Sequence, residues 1–436
     1  MSSILTNNGA MVALQTLKSI NMNLASTQGE ISTGKSVATA KDNAAVWAIS
    51  KVMEADVKGF KGISDSLNLG QSTVAVARQA AETVTNLLTD VKGKIVAAQE
   101  ENVDRAKIQA DIEALRGQIG AVVSAAQFNG LNLLSNTDET VGSGSINVLA
   151  SLDRSVTGVA ASDISVTKQD LGTGAAAIAG TVAATALTAS VDSVTLNGTQ
   201  TDTIDIGTTN SGFTAGTAYT LNIFGTDADD STFTQADYRA TTAAGPSATE
   251  VSTLSIVYVA REGDTATDVA KGLQASFKSY MAANDLDSDV VDVTVTGDTL
   301  TFTSAVTDAT DTVAVTLSSV DASEGNTIGG KLEQLSNIDV TTQAGADSAL
   351  DQVEALIQTA IDSASAFGST QGRIETQTAF ISGLTDALRS GIGTLVDADM
   401  EEASARLQAL QVQQQLGVQA LSIANQAPQS LLSLFR

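Results

Sequence analysis

Hydrophobic positions recur every three or four residues in three long segments of the chain, the pattern of a helix with one buried face. The first runs from about Ala44 to Gln99 without a proline, the second follows the polar link Gln99–Asp104, and the third spans about 350–395. We expect three long helices packed as an antiparallel, coiled-coil-like bundle. Its predicted core positions are Phe60, Ile63, Leu67, Val74, Leu88, Val91, Ile95, Leu115, Ile119, Ile357, Phe367, Ile374, Ile381 and Leu388.

Weaker versions of the same pattern occur at the two ends of the chain. Each end is rich in Gln, Asn, Ser and Ala, with too little apolar area to order by itself. We therefore expect residues 1–40 and 397–436 to be disordered alone and helical when copies of the chain pack together, with the two apolar faces opposed. The predicted assembly residues are Leu17, Ile20, Leu24, Ile31, Leu407, Leu410, Leu416, Ile423, Leu431 and Leu434.

The pattern changes between about Asn136 and Leu335, where Thr, Val and Asp alternate in short runs separated by Gly, Asp and Asn. Such runs predict strands and turns, at Val191–Leu196, Tyr219–Phe224, Thr253–Val259, Val290–Thr296 and Thr299–Thr303. One helix is predicted from about Thr267 to Ala283. The fold class is therefore α+β: a long antiparallel helical bundle formed by both chain ends, with an inserted β-rich outer domain.

The amino-acid composition of the chain argues against several classes of function. The 436 residues include no Cys and no His, which removes disulfides, thiolate and imidazole metal ligands and the commonest general base. We expect no enzyme and no cofactor. The formal net charge is −26, and residues 137–345 alone carry 7 basic and 27 acidic groups. Such a surface repels phosphate backbones and anionic lipid, so neither nucleic acid nor membrane is an expected partner.

Two kinds of acidic cluster are candidate binding or catalytic sites. The aspartates at 227 and 229, and those at 285, 287 and 289, lack the Gly and Glu that a calcium loop places at its sixth and twelfth positions, so we interpret them as solvated turns. A second group precedes an apolar helical stripe, where acids cap a helix N-terminus and favour its dipole. Its members are Asp397, Asp399, Glu401 and Glu402.

Several short segments at both ends carry a distinctive pattern. They are Ile31–Lys35, Ala40–Ala45 and Ala48–Ile49, then Ala126–Gly130 with Leu133–Leu134, and finally Val396–Asp399 and Ala424–Gln429 with Leu431–Arg436. Together these segments resemble bacterial flagellin. The resemblance covers about residues 1–165 and 336–436, in order and at both ends. The middle matches no family pattern.

The resemblance implies a subunit that polymerises into the flagellar filament for swimming motility, with terminal helices driving assembly and the middle facing solvent. It implies three domains: a terminal helical inner core (1–41 plus 396–436), a helical bundle with a β-hairpin (42–169 plus 336–395) and a variable acidic β-rich surface domain (170–335). It also implies an extracellular location after type III export without a cleaved signal peptide. The implied partners are copies of the chain, an export chaperone, the filament cap and hook-junction proteins.

The resemblance also bears on immune recognition, because animal and plant receptors read defined stretches of flagellins. Aligned with the family, the receptor patch on the first long helix spans about Thr89 to Ala97. There Asp90, Gly93 and Lys94 replace an Arg, a Glu and a Leu, and Ser36 replaces an Arg in the plant-sensed stretch. We expect weak recognition by both kinds of receptor.

Two alternative functions stay open on sequence grounds. One is a related hook–filament junction protein, and the other is a secreted acidic adhesin or hydrolase that carries a helical stalk. The large acidic insertion favours the filament subunit over the first.

Overall fold

The computed structural model describes residues 7–155, 158–179, 193–197, 200–209, 213–229, 231–308 and 310–432. The chain divides into two compact units. The first unit comprises Met1–Asp65, Ser151–Ala160 and Thr378–Arg436, and the second comprises Ser66–Ala150 and Ala161–Gln377.

The described helices include four long ones that the hydrophobic stripes predicted, and an α3 of 21 residues after the polar link. Their bounds are α1 Asn8–Thr33, α2 Ala44–Ala98, α3 Arg105–Ala125, α4 Ile206–Thr209, α5 Ala248–Val251, α6 Ala266–Ala283, α7 Gln343–Val396 and α8 Met400–Leu432. Both α2 and α7 contribute residues to the two units. The Asp104 carboxylate accepts from the Lys107 N–H and caps α3, which explains why the polar link ends there.

In the second unit, α3 and α7 each run antiparallel to α2. Lys94 of α2 pairs with Asp111 of α3 at 2.5 Å, and Lys92 of α2 pairs with Glu354 of α7 at 2.5 Å. The predicted core residues that are buried here are Leu67, Val74, Leu88, Val91, Ile95, Ile119, Phe367 and Ile374.

Two predicted core positions of this unit are only half-buried, Leu115 and Ile357. Along α7 the fully buried positions follow Val353, Leu356 and Ala360, so the stripe passes through Leu356 and leaves Ile357 at its edge. In the first unit, Ile63 and Ile381 are buried, whereas Phe60 and Leu388 are half-buried.

Two hairpins follow α3. Strands β1 Gln127–Phe128 and β2 Leu131–Asn132 are joined by Asn129 and Gly130, both with positive φ, as a two-residue hairpin turn requires. A longer pair, β3 Ser145–Ser155 and β4 Gly158–Thr167, contributes residues to both units.

The middle of the chain forms two antiparallel sheets with α6, all within the second unit. One sheet has the order β5-β11-β7-β8 and the other β6-β10-β9. The strands are β5 Ser193–Asn197, β6 Gln200–Asp205, β7 Ala218–Thr226, β8 Val257–Val259, β9 Asp292–Thr296, β10 Thr299–Ser304 and β11 Thr312–Val320. Helix α6 packs against β7, β8, β9 and β10, and Phe277 of α6 meets Phe302 of β10 edge to face at 5.7 Å.

The inserted β-rich region and its helix agree with the sequence prediction, but two strands start later than predicted. The strand predicted at Thr253–Val259 begins only at Val257, and the strand predicted at Val290–Thr296 begins at Asp292. The first two residues of the strand predicted at Val191–Leu196 lie outside the described residues. Residues 253–256 follow the short helix α5, which Ser247 and Glu250 fix through a capping box. Strands β6 and β11 were not predicted from the sequence, and β11 is the central partner of β5 and β7.

Candidate assembly surface

Helices α1 and α8 lie side by side and antiparallel in the first unit. Near one end of the pair the Asn7 side-chain amide donates to the Ala424 carbonyl at 2.8 Å, and farther along the Gln414 amide donates to Asn21 Oδ1 at 2.8 Å. At the other end the Ala398 N–H donates to the Gly34 carbonyl at 3.0 Å. The chain ends are therefore held together along nearly the whole length of α1.

The contact between α1 and α8 is a thin seam with a coiled-coil spacing. Apart from Glu30, the positions with reduced exposure recur at steps of three and four residues on both helices. They are Ala10, Ala13, Leu17, Ile20, Leu24, Thr27 and Ile31 on α1, and Ala403, Leu407, Leu410, Gln414, Gly417, Leu421 and Ala424 on α8. Only Thr27, Ala403 and Leu410 of these are fully buried. A seam one layer deep leaves most of each helix in solvent.

Glycine shapes the middle of the seam. An added Cβ at Gly417 would lie 3.2 Å from Leu17 Cδ1 and 3.8 Å from Ile20 Cδ1. The first distance is tight for a carbon contact, so glycine lets Leu17 lie directly on the α8 backbone. The small seam residue brings the helices close where large side chains are few.

The turn between α7 and α8 joins the pair through backbone contacts. Gly34 ends α1 with φ of 68°, and the following Lys35 forms a β-bridge with Asp397. Asp399 Oδ1 accepts from the N–H groups of Glu401 and Glu402 at 2.9 and 3.2 Å. Asp399 thus caps α8, with Glu401 and Glu402 in its first turn, which confirms the capping interpretation for these three acids but not for Asp397.

Each helix of the pair carries a second apolar face on the side away from the seam. On α8, Val412, Leu416 and Ile423 each follow a seam position by two residues, which is about 200° around a helix with 3.6 residues per turn. On α1, Met11 and Met22 occupy the corresponding side and are both exposed. We call these five residues the outer face.

The predicted assembly residues are divided between the seam and the outer face. Leu17, Ile20, Leu24, Ile31 and Leu407 are half-buried in the seam, and Leu410 is 7% exposed there. The expectation that Leu416 and Ile423 oppose α1 is wrong, since they are 58% and 68% exposed on the outer face. The side chain of Leu431 and all of Leu434 lie outside the described residues.

The misplacement has a simple physical origin. Continuing the steps of three and four from Leu410 leads to Gln414 and Gly417, which are polar or small, whereas choosing the nearest apolar residue leads to Leu416. The strict spacing would have found the seam, and the apolar residues left over would have identified the outer face.

The residues aligned with immune-receptor contacts lie on surfaces of the two units. Asp90 and Gly93 of α2 are exposed, and Lys94 next to them is held by Asp111. Ser36 is exposed, and both its N–H and its hydroxyl donate to the Val396 carbonyl.

One group of carboxylates in the second unit has a spacing that could hold a metal: Asp227, Asp229 and Asp311. The expectation of a solvated turn is wrong for Asp227, which is buried. Its two oxygens already accept N–H bonds from four residues: Asp229, Ser231, Thr232 and Phe233. Burial raises the pKa of Asp227, but these N–H groups outweigh it and hold the pKa at about 2. The carboxylate thus organises a loop, and its oxygens are largely occupied.

The two chain ends match known protein families. The family model for the bacterial flagellin N-terminal helical region matches residues 4–139, and that for the bacterial flagellin C-terminal helical region matches residues 350–435. Flagellin A of Rhizobium meliloti is 33% identical over 439 residues, and a flagellin D of that species is 35% identical over 440, each alignment covering 100% of both chains. This chain belongs to the bacterial flagellin family. The flagellin of Brucella melitensis is 30% identical over 437 residues with the same full coverage.

The family assignment gives the function: this flagellin is a structural subunit of the extracellular bacterial flagellar filament, which serves swimming motility. None of its described helices combines the length and apolarity that crossing a bilayer requires. Among solved structures, flagellar hook associated protein-3 from Legionella pneumophila has a TM-score of 0.34 at 10% identity, covering 79% of this chain and 98% of that one. FliC from Burkholderia pseudomallei has a TM-score of 0.30 at 15% identity, covering 70% and 99%.

Proposed function

We propose that the outer face of the α1–α8 pair is the surface through which this flagellin binds neighbouring subunits in the filament. The observation that carries the proposal is the stripe Val412, Leu416 and Ile423, exposed on the side of α8 that faces away from α1. A monomeric protein rarely exposes a row of large apolar residues without a partner. Here the partner is a second copy of the same chain.

The thin seam supports the same proposal energetically. Ordering one residue costs about 1–2 kcal/mol of backbone entropy, whereas burial returns about 25 cal/mol per Å² of apolar area. With three fully buried seam residues, the pair gains little by itself. Neighbouring subunits that cover the outer face add buried area without adding residues to order, so polymerisation stabilises the pair.

We further propose which segments of the chain form the inner, middle and outer parts of the subunit. The terminal segments 1–41 and 396–436 would form the inner core, residues 42–169 and 336–395 the surrounding bundle, and residues 170–335 the outward surface domain. The charge distribution supports this order, because interface centres are depleted in charge and residues 137–345 carry most of the net negative charge. The absence of His and Cys from the sequence supports a purely structural role.

We also propose export through the flagellar type III apparatus without a cleaved signal peptide, with an export chaperone, the filament cap and hook-junction proteins as partners. The support is the family assignment. Pulse-chase analysis of secreted subunits by N-terminal sequencing tests this, and a shortened N-terminus would contradict it.

The assembly proposal is tested by placing charge on the outer face. The double variant Leu416→Asp and Ile423→Asp should leave the circular dichroism of the monomer unchanged and abolish sedimentable filaments, because two carboxylates would be buried at the contact. A matched control, Gln411→Asp with Ser422→Asp, adds the same charge at exposed positions beside the seam and should assemble. Normal filaments from the outer-face variant would refute the proposal.

A further inference from the structure

Two backbone segments carry the chain between the helical and β-rich parts of the second unit, and they pair with each other. The Ala177 N–H donates to the Thr327 carbonyl at 3.1 Å, and the Thr327 N–H donates back at 2.7 Å. Farther along, the Gly330 N–H donates to Gly174 at 2.8 Å and the Leu332 N–H to Gly172 at 3.0 Å. We call residues 172–177 and 327–332 the neck.

Glycines bring the two neck segments unusually close together. An added Cβ at Gly330 would collide with the carbonyl group of Gly172, and one at Gly329 would collide with the backbone of Ala176 and the carboxylate of Glu333. The neck is therefore a tight backbone contact, and it holds its shape only while its hydrogen bonds are closed.

A buried arginine joins the neck to the β-rich part. Arg261, which is 2% exposed, donates from Nη2 to the Gly329 carbonyl and from Nη1 to the Tyr258 hydroxyl. Its Nε lies 3.4 Å from Oδ2 of the buried Asp170, directly before the neck. The guanidinium thus contacts one neck segment at Gly329, the residue Asp170 just before the other segment, and Tyr258 of β8.

The cluster around Arg261 contains more acids than bases. Asp170 approaches from the segment before the neck, Asp264 from the turn after β8, where it accepts from the Tyr258 hydroxyl at 2.6 Å, and Glu333 from the segment after the neck. Glu333 Oε2 accepts from the Ala176 N–H at 2.7 Å, so this carboxyl group lies across the neck. Asp170 is buried and Asp264 and Glu333 are half-buried, so one cation cannot balance all three charges at this site.

We propose that Arg261 and Glu333 form a proton-controlled lock on the neck, closed while Glu333 carries a proton and weakened when Glu333 ionises. While Glu333 is protonated, Arg261 faces the two carboxylates of Asp170 and Asp264, and the neck hydrogen bonds remain formed. When Glu333 gains its charge, a third carboxylate is added to the cluster around Arg261, and opening the neck relieves the repulsion by exposing the half-buried Glu333 fully to water. The β-rich part then gains freedom relative to the helices of its own unit.

The direction of the pH effect follows from the environment of Glu333. Burial raises the pKa of this carboxyl group to about 7, outweighing the opposing influence of the Ala176 N–H and of Arg261, while Asp170 raises it further. Because the folded pKa is raised, the closed neck is most stable below the ordinary glutamate range. Its stability is lost as the pH rises from there through about 7.

Hydrogen exchange of the full-length monomer, followed by mass spectrometry between pH 5 and pH 8, tests the lock. After correction for the intrinsic exchange rate, protection in peptides covering 170–178 and 326–336 should fall by up to about tenfold per pH unit as the pH approaches 7. Peptides from β11 serve as an internal reference and should keep constant protection.

The variant Glu333→Gln keeps the size of the side chain and its acceptor oxygen but cannot ionise. Its neck should stay protected across the whole pH range, with unchanged circular dichroism. The control Glu324→Gln, just before the neck and outside the Arg261 cluster, should keep the wild-type pH dependence. Wild-type neck protection that is the same at pH 5 and pH 8, or a Glu333→Gln variant that retains the pH dependence, would overturn the proposal.

Discussion

Truncating two leucines six residues apart on α8 should separate pairing within the subunit from contact between subunits. Leu410 is 7% exposed in the seam, so α1 of the same chain already covers it, whereas Leu416 is 58% exposed on the outer face. The change Leu410→Ala removes buried methyl groups and should weaken the α1–α8 pair by about 2–3 kcal/mol. The change Leu416→Ala should leave that pair almost unaffected.

The effect of Leu416→Ala should appear on assembly. Full burial of a leucine side chain is worth about 1.5–3 kcal/mol, so covering the 58% that is still exposed is worth about 1–2 kcal/mol. That corresponds to a critical concentration for polymerisation raised by about 5–30-fold. Leu410→Ala should raise it too, because an unstable pair presents no ordered outer face.

Sedimentation of filaments over a range of subunit concentrations gives the critical concentration, and limited proteolysis of the monomer reports on the pair. Only Leu410→Ala should change the rate at which protease trims the chain ends. The exposed Gln411→Ala, on neither apolar face, is the control. A critical concentration for Leu416→Ala within twofold of wild type would refute the outer-face argument.

Three further outcomes follow from other parts of the chain. Replacing residues 178–326 by an Asn-Gly turn between the paired Ala177 and Thr327 should leave sedimentable filaments, and a folded but non-polymerising product would contradict the outward placement of the insertion. Because the pKa of Asp227 is lowered to about 2, wild-type stability should fall as the pH drops below the ordinary aspartate range through 2, whereas Asp227→Asn should melt at a lower temperature with less acid dependence, as calorimetry would measure. In a receptor reporter-cell assay the wild type should be weakly active and Asp90→Arg more active, and equal potency with a strongly sensed flagellin would contradict this.

The helical part of the fold could be predicted because long stripes of apolar residues with a regular spacing leave few alternatives. Ile63, Leu67 and Val74 of α2 are all buried as that spacing predicts. The β-rich region could be predicted as a class, and α6 to within one residue at its start. Strand pairing could not, because β5 and β11 are more than a hundred residues apart and nothing local in either sequence specifies the other.

The outer face and the buried polar clusters could not be predicted from sequence patterns, because both depend on contacts between distant segments. Leu410 and Leu416 have the same side chain, and only the position of α1 makes Leu410 a buried seam residue and leaves Leu416 exposed. Asp227 has the composition of a surface turn, yet four N–H groups converge on it because the loop folds around the carboxylate. Arg261 meets Asp170 and Glu333 only after the neck has brought distant segments together.

The antiparallel pairing of α1 with α8 delays the completion of the pair during synthesis of the chain. Leu17 and Gly417 meet across the seam although 400 residues separate them in the chain. At a synthesis rate of about 5–20 residues per second, the ribosome needs about 20–80 s to deliver the partner of a helix it has already made. The first helix to be translated is thus among the last to find its place, and throughout that interval the seam side of α1 is open to any apolar surface the cell offers.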